Sequence, residues 1–183
     1  MADSEGDFGM MSLLVVLSER VDFAKTWPAV QGWSGDAIRT FTRAGTTCVR
    51  ADVRFDTDAE AQAFAGVFDE WANGLPAKET RSGRGVELES CDPGKDAVVN
   101  TDPAHVSGIR GLALRRSLIA GLTQSGLPAK AATCVADGVI TRLGGARLNQ
   151  LDQTLRQAAD PAAIREVAQA TQAAAAACPI PGR

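Results

Sequence analysis

Several of the usual instruments of enzyme chemistry are scarce or missing from this chain. It holds no tyrosine and a single histidine, His105, and only 5% of its 183 residues are aromatic. No second histidine exists to build a zinc site or an H-E-x-x-H helix, and no serine stands in G-x-S-x-G. A glycine-rich phosphate loop is absent as well. None of the four cysteines, at 48, 91, 134 and 178, belongs to a C-x-x-C pair, so the ligand spacing of a structural zinc is lacking. No apolar run reaches the roughly 18 residues that span a bilayer. The net charge is only −3, which argues against nucleic acid as the main partner. These absences predict no catalytic constellation, no metal site and no bound cofactor.

What is present is a folding sequence. An apolar share of 45% excludes a disordered chain, and the length suffices for one or two domains. The acidic start is followed by an apolar stretch from Phe8 to Leu17 that lacks a basic flank and a cleavage site. It reads as a first helix and not as a signal peptide; an exported protein would then have its leader missing from this chain.

The spacing predicts that first helix over 8–20, then a short helix starting near Asp22 and meeting Pro28. Gly32-Trp33-Ser34-Gly35-Asp36 reads as a helix stop with a buried indole, and Trp33 and Asp36 are candidate binding residues. Strands follow over 37–43 and 47–55, joined by an Ala44-Gly45 turn. In the second strand Val49, Ala51, Val53 and Phe55 share one face, with Cys48, Arg50, Asp52 and Arg54 on the other. Residues 86–91 repeat the pattern, placing Val86 and Leu88 opposite Glu87, Glu89 and Cys91. Between these strands Thr57-Asp58-Ala59-Glu60 forms a capping box. Phe64, Phe68, Trp71 and Leu75 then make one helical stripe, ended by Gly74 and Pro76. Residues 78–85 read as a mobile loop in which Arg81 and Arg84 are candidates for binding an anion.

After Asp92-Pro93-Gly94 the strand patterns cease. Asp102-Pro103 opens a helix to about residue 123, with His105 exposed in its first turn. Further helices are expected over about 128–143, around Leu148, Leu151 and Leu155, and from Asp160-Pro161 to about Cys178. The predicted architecture is α+β: a small antiparallel sheet covered by helices over 1–96, followed by an all-α domain of about four helices over 97–183.

Four cysteines admit two readings, buried free thiols in the cytosol or two disulfides in an oxidising compartment. The even number favours disulfides. Antiparallel pairing of the two alternating strands would bring Cys48 to Cys91 on the charged face, where Arg50 and Arg54 can meet Glu87 and Glu89. Parallel pairing would hold the sulfurs about 20 Å apart, beyond any bridge. Cys134 and Cys178 then pair within the helical half. Asp56, Asp58 and Glu60 have the spacing of a metal loop but lack its glycine and distal glutamate, and helix capping explains them. Glu87 and Glu89 could be paired catalytic carboxylates; ion pairing with the arginines is the plainer account.

The string Gly32-Trp33-Ser34-Gly35-Asp36, the hairpin with Cys48, the Asp56-Thr57-Asp58 helix start and Trp71 resemble the C-terminal part of envelope proteins. These occur in actinobacteria and halophilic archaea and are related to candidate zinc metallopeptidases. Gly126-Leu127-Pro128, Ala132, Cys134-Val135-Ala136-Asp137 and the terminal Cys178 are similar to helical modules of actinobacterial secreted proteins and lipoproteins. The resemblance implies an exported, disulfide-bonded protein, and the metallopeptidase signature itself is not carried here. The expectation is a non-catalytic extracytoplasmic module, secreted or at the cell envelope, that binds an envelope protein or ligand. The alternative is an accessory or remnant part of a peptidase-like hydrolase whose catalytic segment lies elsewhere.

Overall fold

A computed structural model describes residues 5–96, 105–158 and 160–179. The chain divides into two compact units, one of Met1–Val21 and Lys25–Asn100, the other of Asp22–Ala24 and Thr101–Arg183. The fold is α+β, with an antiparallel sheet in the first unit and, among the described residues, helices alone in the second.

The first unit is built on five strands: β1 (Glu5–Gly6), β2 (Trp33–Arg43), β3 (Thr46–Phe55), β4 (Ala77–Ser82) and β5 (Gly85–Cys91). Their order is β1-β2-β3-β5-β4, every pairing antiparallel. Ala44 (φ 50°) and Gly45 (φ 84°) form the two-residue turn between β2 and β3. Positive φ at both central positions matches the twist of a tight hairpin. Helices α1 (Gly9–Ser18), α2 (Phe23–Val30) and α3 (Asp58–Ala72) accompany the sheet. The inward alternation of Ala51, Val53, Phe55, Val86 and Leu88 is buried, as are Leu13, Leu14 and Leu17 of α1 and Phe64 and Phe68 of α3. Phe55 and Phe64 meet with ring centroids 4.8 Å apart, fastening α3 to β3.

Two sequence expectations are corrected here. Residues 78–85 are no loop: Ala77–Ser82 is the edge strand β4, joined to β5 by a tight turn at Gly83. An edge strand buries little, and charged side chains guard its open side, so no apolar alternation announces it. Nor does Trp33-Ser34-Gly35-Asp36 precede the sheet. It is the first part of β2, where the register shifts between Trp33 and Gly35 and Gly35 adopts φ 153°. A glycine inside a strand marks such a bulge.

The second unit packs α4 (Gly108–Gln124), α5 (Ala129–Leu143), α6 (Gly145–Gln157) and α7 (Pro161–Ala177). Ala132, Val135, Ala136 and Val139 of α5 are fully buried at its centre. A Cβ on Gly138 would come within 2.8 Å of the Ala174 Cβ, so the glycine and the alanines of α7 permit a close helix approach. Arg115 grips Asp137 with two bonds of 2.5 and 2.9 Å, and Arg147 grips Glu166 at 2.8 and 2.5 Å. Asp22 accepts the amide of Gly145 at 3.0 Å and so caps α6. The expected helix start at Asp102-Pro103 lies outside the described residues. The helix proper begins at Gly108, so His105 stands half-buried before it and not in its first turn.

Each unit carries one disulfide. Cys48 and Cys91 sit directly opposite in the β3–β5 register and are bonded at 2.06 Å, and Cys134 of α5 is bonded at 2.04 Å to Cys178, which follows α7. Such bonds form and persist in an oxidising environment. Among the described residues no helix is long and apolar enough to cross a membrane.

Candidate apolar binding site

The inner face of the sheet is not filled evenly. At its centre stand the small side chains Ala51 and Ser90, beside Val49 and Leu88. The helices above contribute larger groups: Leu13, Val16 and Leu17 from α1, and Phe64, Phe68 and Trp71 from α3. Small residues below and two separate helices above leave a cavity of about 540 Å³ inside the first unit. Phe8 closes one side, and Thr47, Ser90, Cys91, Asp92 and Pro93 lie where β3 begins and β5 ends. Volume and apolar lining fall within the range of small-molecule sites. Trp71 is half-buried and tilts against Phe68 at 5.3 Å, while Val16, Thr47 and Asp92 are exposed and mark the mouth.

The glycine- and tryptophan-bearing string holds one wall of this cavity. The Asp36 carboxylate accepts the amides of Phe8 (2.5 Å) and Gly9 (2.9 Å) at the start of α1. It also accepts the indole N–H of Trp33 at 2.9 Å. α1 has no capping side chain of its own at its first residue, so a strand residue nearly thirty positions away satisfies its orphan amides. A Cβ on Gly32 would come within 2.2 Å of the Glu60 Cδ, so a larger residue there must displace the Glu60 side chain. Glu60 in turn completes the capping box of α3, accepting the Thr57 amide at 2.9 Å while donating its own amide to the Thr57 hydroxyl at 3.2 Å. The string thus orients both roof helices. Trp33 and Asp36 meet each other but do not line the cavity; they position Phe8, which does.

The other sequence candidates lie elsewhere. Arg81 is on β4 and Arg84 in the following turn, both exposed; the Arg84 guanidinium reaches the Asp56 carbonyl only at 3.5 Å. Glu89 is 4% exposed on the outer face of the sheet, bonded by Arg43 and Arg50 at 2.6 Å each, with Lys78 at 3.6 Å. Hydrogen bonds from Arg43 and then Arg50 hold its carboxyl down at about 2. A carboxylate kept ionised in this way anchors an ion-pair cluster and is poorly suited to exchange protons near neutrality. The expected Arg54 partnership is not formed. Arg54 lies opposite Gly85 with its guanidinium over that glycine, and Arg43 and Lys78 take its place. Glu87 lies 3.6 Å from Arg50 and is exposed. Among the described residues no three His, Cys, Asp or Glu side chains converge to hold a metal ion.

The cavity is not legible in the sequence. Its one signal there is the pairing of small inward residues on β3 and β5 with a bulky helical stripe, which leaves the packing density open.

An α+β unit whose two helices roof an antiparallel sheet over an apolar cavity is therefore the class of domain in hand. The chain belongs to the family of the domain of unknown function DUF8575, whose model matches residues 1–110 and so takes in the whole of the cavity and the string that supports it. No curated protein and no solved structure matches the chain.

Proposed function

We propose that this protein is a non-catalytic extracytoplasmic binding protein, secreted or held at the cell envelope, whose first unit takes an apolar ligand into the cavity between sheet and helices. The cavity carries the reading: about 540 Å³, open at one side and lined almost wholly by aliphatic and aromatic side chains, has the size and character of a small-molecule site. Two disulfides with no free cysteine among the described residues support a location outside the reducing cytoplasm.

The test is uptake of the neutral fluorescent probe N-phenyl-1-naphthylamine. Native protein is expected to enhance its emission saturably, and Val49→Phe, which puts a ring into the cavity, is expected to abolish the effect with the fold retained by circular dichroism. Emission unchanged by the protein, or by Val49→Phe, would refute the proposal.

A further inference from the structure

The polar groups around the cavity are not spread evenly, and their placement narrows the ligand. The lining residues that carry polar side chains, Thr47, Ser90 and Asp92, gather where β3 begins and β5 ends. The C-terminal turns of both roof helices point to the same end: Val16 and Leu17 close α1, Phe68 and Trp71 close α3, and all four line the cavity. Their meeting is fixed by Arg20, just past α1, whose Nη2 donates to the Asn73 carbonyl just past α3 at 2.8 Å. Helix C-termini carry partial negative charge. Among the described residues no lysine, arginine or histidine lines the cavity. Arg20 is turned onto Asn73, and Lys95, two residues beyond Pro93, is exposed and outside the lining. Arg20 offsets the two helix ends it joins. The lining of the mouth therefore offers two hydroxyls and the Asp92 carboxylate, with no cation among the described lining residues. The Asp92 Oδ1 accepts the Gly94 amide at 2.8 Å, and its Oδ2 is left to meet a ligand.

Resting on the reading of the cavity as a binding site, we infer that its ligand is a single-chain amphiphile whose tail fills the cavity and whose uncharged, hydroxyl-bearing head lies at Asp92, Thr47 and Ser90. Hydroxyl groups are donors that a carboxylate accepts well, whereas a carboxylate or phosphate head would meet Asp92 with like charge. The apolar lining suits an alkyl tail, and the hydroxyls at one end fix the direction of entry.

The experiment compares decyl maltoside with sodium decanoate on the whole chain at neutral pH and low salt, each below its micelle threshold, by displacement of N-phenyl-1-naphthylamine. Decyl maltoside is expected to bind at least about tenfold more tightly, a difference of about 1.4 kcal/mol. In Asp92→Asn the decanoate affinity is expected to rise and the gap to shrink. Decanoate binding as well as or better than the maltoside would overturn the inference while leaving the cavity reading intact. An unchanged gap in Asp92→Asn would remove Asp92 from the head-group site. Displacement by neither compound, with the probe itself bound, would overturn the amphiphile; failure of the probe to bind would take the underlying reading with it.

Discussion

Asp36 accepts the Trp33 indole N–H at 2.9 Å, and its second oxygen accepts the amide of Phe8 at 2.5 Å. One carboxylate thus joins the bulge of β2 to the first turn of α1. The strand's irregularity and the helix's orientation are a single construction.

Replacing that carboxylate should be costly for a surface-proximal residue. Asp36→Ala removes bonds from two helix-start amides and an indole, and is expected to destabilise the first unit by about 2–3 kcal/mol. Denaturant unfolding followed by tryptophan emission measures it. Uptake of the apolar probe should weaken as well, because Phe8 loses its anchor.

Gly32→Ala tests the contact with Glu60. The new methyl must displace the Glu60 carboxyl and break the capping box, at an expected cost of about 1 kcal/mol or more. The double variant Gly32→Ala with Glu60→Ala should then be less destabilised than the sum of the two single variants. Simple additivity in the cycle would show that the two residues do not interact.

The Glu89 cluster should make stability depend on acid. Its folded carboxyl is held at about 2, below the ordinary value of 4.5, so the unfolded chain takes up the proton first. The ion-pair stabilisation is therefore complete above about pH 4.5 and is lost as pH falls towards 2. The denaturant midpoint should fall through that window, and Glu89→Gln should flatten the fall while lowering the midpoint at neutral pH. Glu166, lowered by its bonds with Arg147, acts in the same direction in the second unit.

Reduction should destabilise both units. The bonds span 43 and 44 residues, and loops of that length are worth about 4 kcal/mol each on the chain-entropy model. Peptide mapping without reductant should recover Cys48 linked to Cys91 and Cys134 linked to Cys178. Any other linkage, or free thiols in the untreated protein, would contradict the structure.

The α+β architecture was readable because its strongest elements obey simple periodicities. Val49, Ala51, Val53 and Phe55 alternate cleanly, and Thr57 with Glu60 marks the start of α3 by a local rule. Where burial is slight, the pattern fails: β4 has only Ala77 and Glu79 partly turned inward, and charge hides it. The bulge at Gly35 reads as a break in the sequence because a strand that opens between Gly32 and Gly35 has no period to follow. The cavity was beyond a one-dimensional reading for a different reason. It arises from the distance between two helices over small residues, and Asp36 fixes one of those helices from a position remote in sequence. Trp33 and Asp36 stand out in the sequence by their setting, but the amides that Asp36 accepts, those of Phe8 and Gly9, are visible only in the fold.

Both sulfur bonds close within their own unit, which has a consequence for turnover. A single cut between Cys91 and Cys134 falls outside both covalent rings, so no sulfur bond links the two products. A cut between Cys48 and Cys91, or between Cys134 and Cys178, opens a ring and leaves its fragments shackled. Endoproteolysis of the connecting stretch is thus the one kind of nick that divides the molecule into separately laced pieces.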